Sequence, residues 1–174
     1  SGDYDKALEL LNQIIKSKEN QAPAYFELAK IYAVKSQQQK ALDFINKAVD
    51  VNSKNKWYLN YKISLTRELE LYKQCENTYL LRRKIFASDT DNDIELSNFY
   101  IDRKEYLKAL KILSQVESKI GVSHDVNFNK FLLYRGLDEY DKCEKEIQKL
   151  VTSFPSNTYY IIQFADFKFE HGED

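Results

Sequence analysis

The chain has 174 residues, of which 43% are hydrophobic and 14% aromatic, a composition that excludes a disordered chain. Its 26 Lys and Arg nearly balance 27 Asp and Glu, giving a net charge of −1, without the basic excess of a dedicated DNA or RNA binder. Four Gly and two Pro are too few to punctuate a strand-built fold, and no stretch approaches the roughly 18 consecutive apolar residues of a membrane span, so the reading is all-α.

The first element, from Gly2 to about Asn20, carries Tyr4, Ala7, Leu8, Leu11, Ile14 and Ile15 on one side. Residues 22–55 then read as two short amphipathic helices. Tyr25, Leu28, Ala29 and Tyr32 form one stripe, and Ala41, Ile45, Ala48 and Val49 form another after the polar break Lys35-Ser36-Gln37-Gln38. Residues 56–89 repeat the pattern, with Trp57, Leu59, Ile63 and Leu65 followed by Tyr72, Cys75, Tyr79 and Phe86. The polar run Ser88–Asp93 supplies helix-capping residues for the next pair, 90–123, whose second helix ends at Gly121. A fourth pair occupies 124–157, and 158–171 is a single helix, which brings the expectation to about ten helices.

The pairs recur with a step of 34 residues. One column reads Ala7, Ala41, Cys75, Ala109 and Cys143, all small; four residues later stand Leu11, Ile45, Tyr79, Leu113 and Ile147, all large. Three residues before the small position stand Tyr4, Gln38, Tyr72, Tyr106 and Tyr140. Size classes held in register over five steps require a repeated packing environment, with a small residue wherever two helices approach closely.

In this pattern the chain resembles the tetratricopeptide repeat family over essentially its whole length. Tyr25, Leu28, Ala29, Tyr32, Ala41, Ile45 and Ala48 match the family's positions, as do Gly2, Tyr4, Ala7, Leu11 and the closing Pro155. The departures are Glu70, Lys104 and Asp138 in place of the turn Gly, Asp93 in place of an aromatic, and Arg82 where a small residue is usual. The resemblance implies a right-handed α-α superhelix forming one array: a lone second helix at 2–20, repeats at 22–55, 56–89, 90–123 and 124–157, and a lone first helix at 158–171. It also implies that first helices line a concave groove. Carried onto this sequence, the groove residues are Phe26, Lys30 and Ala33; Asn60, Ser64 and Arg67; Ile94, Asn98 and Ile101; Phe128, Leu132 and Arg135; and Tyr159, Ile162, Asp166 and Phe169. One branch of the family clamps acidic C-termini with cations, but Asp91 and Glu95 stand where such a clamp needs them.

No catalytic, cofactor or metal site is expected. Cys75 and Cys143 read as small packing residues that stay free thiols, since two repeats separate them. His124 and His171 lie at helix boundaries without a triad partner, and the acidic run at 89–93 lacks the Gly and Glu of a calcium loop. The resemblance thus implies a non-enzymatic scaffold that binds a peptide or helix of a protein partner, with no nucleic acid and no membrane insertion within this segment. The alternatives are an adaptor segment of a larger enzyme or of a bacterial envelope or secretion lipoprotein and, less favoured, a helical-repeat RNA binder. Richness in Lys, Asn, Ile and Tyr points to an AT-rich, bacterial genome; the compartment, cytoplasmic or periplasmic, is not encoded here. Both ends fall in the same inter-helix turn of the period, so the sequence reads as a segment of a longer array. Faces at Tyr4, Ala7, Leu11 and Ile14 and at Ile161, Phe164, Ala165 and Phe167 are expected to be open to end-to-end self-association.

Overall fold

The structure, a computed structural model, describes residues 2–171. Ten α-helices run through them: α1 (Gly2–Ser17), α2 (Gln21–Val34), α3 (Gln38–Val51), α4 (Lys56–Glu68), α5 (Tyr72–Ile85), α6 (Thr90–Asp102), α7 (Tyr106–Ile120), α8 (Asn129–Gly136), α9 (Tyr140–Ser153) and α10 (Thr158–His171). A π-helical turn, His124–Phe128, leads into α8. The chain divides into two compact units, Ser1–Ala87 and Ser88–Asp174. The terminal Gly172, Glu173 and Asp174, read above as restarting a turn, lie outside the described residues.

In the 1–87 unit, α2 packs on α3 and α4 on α5, with α1 against α2 and α3 against α4. Its core is apolar: Ala29, Ala41, Leu42, Ile45, Ala48 and Leu59 are all buried. Tyr32 and Phe44 stack nearly parallel with centroids 5.2 Å apart, closing the α2–α3 hairpin. In the 88–174 unit, α6 packs on α7, burying Leu96, Phe99, Ala109 and Leu113, while α8 packs on α9 and α9 on α10 around Phe131, Cys143, Ile147, Leu150, Tyr160 and Phe167.

The small column explains how closely paired helices approach. Ala41, Cys75, Ala109 and Cys143 are fully buried, whereas Ala7 is half-buried, since α1 packs on α2 without the first-helix partner that the others have. Both thiols are free; each donates to a carbonyl of the preceding helix, Cys75 to Ile63 and Cys143 to Phe131. Burial pushes the Cys143 thiol up to about 11, although the Arg135 charge pulls the other way, so it is a packing group and not a nucleophile.

Each hairpin turn uses one left-handed residue. Ser36, Glu70, Lys104 and Asp138 have φ between 55° and 58° and stand 34 residues apart. In the first, the amide of Ser36 donates to the Ala33 carbonyl and that of Gln37 to Tyr32; Glu70 and Leu71 repeat this on Arg67 and Thr66. Lys104 and Glu105 do so on Ile101 and Tyr100, and Asp138 and Glu139 on Arg135 and Tyr134. This is the Schellman closure of a helix, normally built on Gly. The missing Gly in the sequence therefore changes the cost of the turn and not its geometry.

Helix starts share a column as well. Asn55 caps α4 by accepting from the amides of Trp57 and Tyr58, Asp89 caps α6 through Asp91, and Asn157 accepts from Tyr159 at the start of α10. The fourth member of the column is Ser123, which makes no capping bond. There the chain enters α8 through the π-helical turn instead, and the Ser123 amide donates to the side chain of Asn127 at 2.9 Å.

Candidate functional site

Helical spacing puts the residues expected to line a groove on one side of each first helix. In the 1–87 unit, Phe26 is half-buried, its ring 4.9 Å from Tyr58 and 5.4 Å from Tyr61. Lys30 is exposed, pairs with Glu27 at 2.8 Å and lies over the Phe26 ring. Asn60 accepts from the buried Arg82 guanidinium at 2.7 Å, so its side chain is committed to the fold. Arg67 and Ser64 are exposed and Ala33 is half-buried. Trp57, expected in the packing stripe of its helix, is instead 77% exposed. Its column contains Tyr159, which is also exposed, and belongs to the outward side of the first helices.

In the 88–174 unit, α8 and α10 are tied together on this side. Phe128 is half-buried, stacked on His124 at 5.4 Å and 5.5 Å from the ring of Tyr159. Arg135, also half-buried, pairs with Glu170. Between these links stand Leu132, 45% exposed, and Ile162, 54% exposed; Phe169 is 93% exposed and Asp166 is open to solvent. On α6, Ile94 and Ile101 are half-buried and Asn98 is exposed, in the corresponding columns. The opposite sides of α8 and α10 bury Phe131, Tyr160 and Phe167. Phe167, expected among the exposed residues of the last helix, is buried, its ring edge-on to Phe131 and tilted against Tyr140. Ile161 and Ala165 are exposed and Phe164 half-buried, while on α1 Tyr4 and Ile14 are exposed and Ala7 and Leu11 half-buried.

A buried ionic cluster, absent from the sequence reading, holds the π-helical turn in place. Lys130 reaches Glu117 at 2.5 Å and Glu146 at 2.7 Å, and Lys149 reaches the same two carboxylates at 2.7 and 3.0 Å. Asn127 donates to both, at 2.8 Å each. Asn127, Lys130 and Glu146 are all buried. Burial pushes the Glu117 carboxyl up, but hydrogen bonds from Lys130, Lys149 and Asn127, with the Lys130 charge, outweigh it and hold it at about 2. Two cations against two carboxylates, with the amide filling the remaining acceptor sites, is the arrangement that makes buried charge tolerable. The signal in the sequence was the column Tyr25, Leu59, Asp93, Asn127: apolar twice, then polar twice. Asp93 is likewise buried and meets Lys119 at 2.9 Å.

An open cleft of about 640 Å³ is lined by Val122, Lys149, Val151 and Thr152 together with Phe164 of α10. Among the described residues no cluster of His, Cys, Asp and Glu could hold a metal ion, and no helix is long and apolar enough to cross a membrane.

A tetratricopeptide repeat family model matches residues 22–55. No curated protein sequence matches the chain. Solved structures with the same fold include a tetratricopeptide repeat protein from Parabacteroides merdae, 21% identical, covering 97% of this chain and 67% of that one with a TM-score of 0.62. MamA from Desulfovibrio magneticus is 15% identical over 87% of this chain and 85% of its own, with a TM-score of 0.60. YrrB, a tetratricopeptide repeat protein with an unusual peptide-binding site, is 14% identical over 91% of this chain and 81% of its own, with a TM-score of 0.59.

Proposed function

We propose, for a chain that carries a tetratricopeptide repeat at 22–55 and has the fold of tetratricopeptide repeat proteins, that it is a non-catalytic scaffold holding a peptide or helix of a protein partner on its first-helix face. One observation carries this reading: Leu132, Tyr159, Ile162 and Phe169 leave large apolar side chains in solvent in the groove columns, while the same two helices bury Phe131, Tyr160 and Phe167 on the other side. Exposed apolar side chains gathered on the same side of two neighbouring helices, rather than scattered singly, favour a partner there. The peptide site of YrrB, on the same fold, supports the class of ligand. An adaptor role within a larger enzyme or an envelope lipoprotein would use the same surface and differ only in what the scaffold is attached to.

The test is affinity capture from the native cell with the wild-type protein and with Leu132→Ala/Ile162→Ala. Both side chains are about half exposed, so the double variant is expected to keep its unfolding midpoint nearly unchanged and to lose the captured partner. Phe128 is the poorer choice, because its ring is stacked among His124, Phe131 and Tyr159 and its loss disturbs the fold. An identical set of captured proteins with wild-type and variant would refute the reading.

A further inference from the structure

Charge separates the first helices of the two units and selects among the ligands that the apolar face could hold. Those of the 88–174 unit carry seven carboxylates, four on α6, one on the π-helical turn and two on α10, against three cations, two in the π-turn–α8 segment and one on α10. All three cations are engaged: Lys130 is buried in the ionic cluster, Arg135 pairs with Glu170, and Lys168 is drawn to Glu144 on α9 at 2.7 Å; of the carboxylates, Asp93 is buried against Lys119 and Glu170 is held by Arg135. Asp166 stands four residues after Ile162 on the same side of α10, and Asp125 stands three before Phe128 in the column of Tyr159. Both are exposed. The helices α2 and α4 of the other unit show the reverse balance, with two carboxylates and four cations.

We infer that the first-helix face of the 88–174 unit takes an amphipathic peptide segment whose bulky apolar side chains are flanked by Lys or Arg. The inference rests on the scaffold reading above and names the chemistry of its partner. Leu132, Ile162 and Phe169 supply apolar area to bury, at about 25 cal/mol per Å² before the cost of ordering the peptide. Asp125, beside Phe128, and Asp166, in the column of Leu132, attract a cationic segment during encounter and leave an acidic one repelled and unpaired. The same sign of charge disfavours an anionic membrane as the occupant.

The experiment uses the full chain and three labelled synthetic helical peptides that share one apolar stripe and differ only in a polar side made of Lys, Gln or Glu. Fluorescence anisotropy is read at low and at high salt. The Lys peptide is expected to bind about tenfold or more tightly than the Glu peptide, with the gap narrowing as salt screens Asp125 and Asp166. Asp125→Asn with Asp166→Asn should close most of that gap at low salt, and Leu132→Ala with Ile162→Ala should weaken the Lys and Gln peptides alike. Equal affinity for all three peptides, still sensitive to Leu132 and Ile162, would overturn the charge selection and leave the scaffold reading standing. Binding insensitive to Leu132 and Ile162 would remove the face itself and both readings with it. No binding by any peptide overturns the inference, and the capture experiment then decides the scaffold reading on its own.

Discussion

Tyr25 and Leu59 in the 1–87 unit, and Asp93 and Asn127 in the 88–174 unit, occupy one column of the period, yet the two units handle it in opposite ways. Leu59 is buried among Ala29, Leu42 and Ile45, and Tyr25 stacks on Phe44 with centroids 6.3 Å apart. Asp93 and Asn127 are buried at the corresponding places and are satisfied by ions: Lys119 for the first, and Glu117, Glu146, Lys130 and Lys149 around the second. From Leu59 through Asp93 to Asn127 the column thus keeps its burial while leaving the chemistry free. The polar solution carries an added demand, because every charge it buries must keep its partner.

The largest expected effect breaks the comparison on its polar side. Lys130→Met removes the cation that meets both carboxylates and leaves Glu117 and Glu146 facing each other with only Lys149 and Asn127 between them. The loss is expected at about 3–5 kcal/mol in denaturant unfolding, the usual cost of stranding a buried charge. The pH dependence is signed. Glu117 is held at about 2 against an ordinary 4.5, so its contribution is fully present above about 4.5 and is lost as pH falls through the interval down to about 2. Stability of the wild type should therefore fall steeply with acid below about 4.5, and Glu117→Gln should flatten that fall while lowering stability at neutral pH. A Lys130→Met protein as stable as the wild type would show that the cluster contributes nothing.

The hairpins were legible in the sequence because packing constrains size. Wherever Ala41, Cys75, Ala109 and Cys143 recur, a second helix crosses closely on a first, and any larger residue would push it away. Leu132, Ile162 and Phe169, placed in the groove columns by the family resemblance, stand exposed in the structure. Trp57 misled, because an aromatic next to a packing stripe looks like part of it; it stands one and two residues before the buried Tyr58 and Leu59. The ionic cluster was not legible either. Glu117, Lys130, Glu146 and Lys149 come from three helices and span 32 residues, and each alone reads as a solvated charge. Only Asp93 and Asn127, polar where the column had been apolar, marked the place.

A middle-sized effect sharpens the comparison within the 1–87 unit. Ala41 is fully buried between α2 and α3, and Ala41→Leu has no room, so overpacking should cost about 1–3 kcal/mol. Ala7 holds the same column on α1 but is half-buried, and Ala7→Leu should stay within about 0.5 kcal/mol of the wild type. The measurement is a pair of urea unfolding curves on the full chain. If the two substitutions cost the same, burial at this column does not set its size limit, and the packing explanation of the period fails.

The smallest effect lies where the units should not differ at all. Glu70 ends α4 in one unit and Lys104 ends α6 in the other, at φ 55° and 58°, closing the same pair of backbone bonds. A side chain in the left-handed region crowds its own backbone by about 1–2 kcal/mol, and Gly is free of that crowding but loses more freedom on folding. The balance favours Gly, so Glu70→Gly and Lys104→Gly should each raise stability by about 0.5–1 kcal/mol, and the two should add because the turns share no bonds. Asp138→Gly serves as the contrast. The Asp138 carboxylate accepts a hydrogen bond from Tyr140 Oη at 2.8 Å, which Gly cannot replace, so its gain should be smaller or nil. Thermal unfolding of the three single variants and of the Glu70→Gly/Lys104→Gly pair reads the series. Lower stability at both Glu70 and Lys104 would mean that these side chains make interactions worth more than the strain, and that the departures from Gly at the turn are stabilising choices.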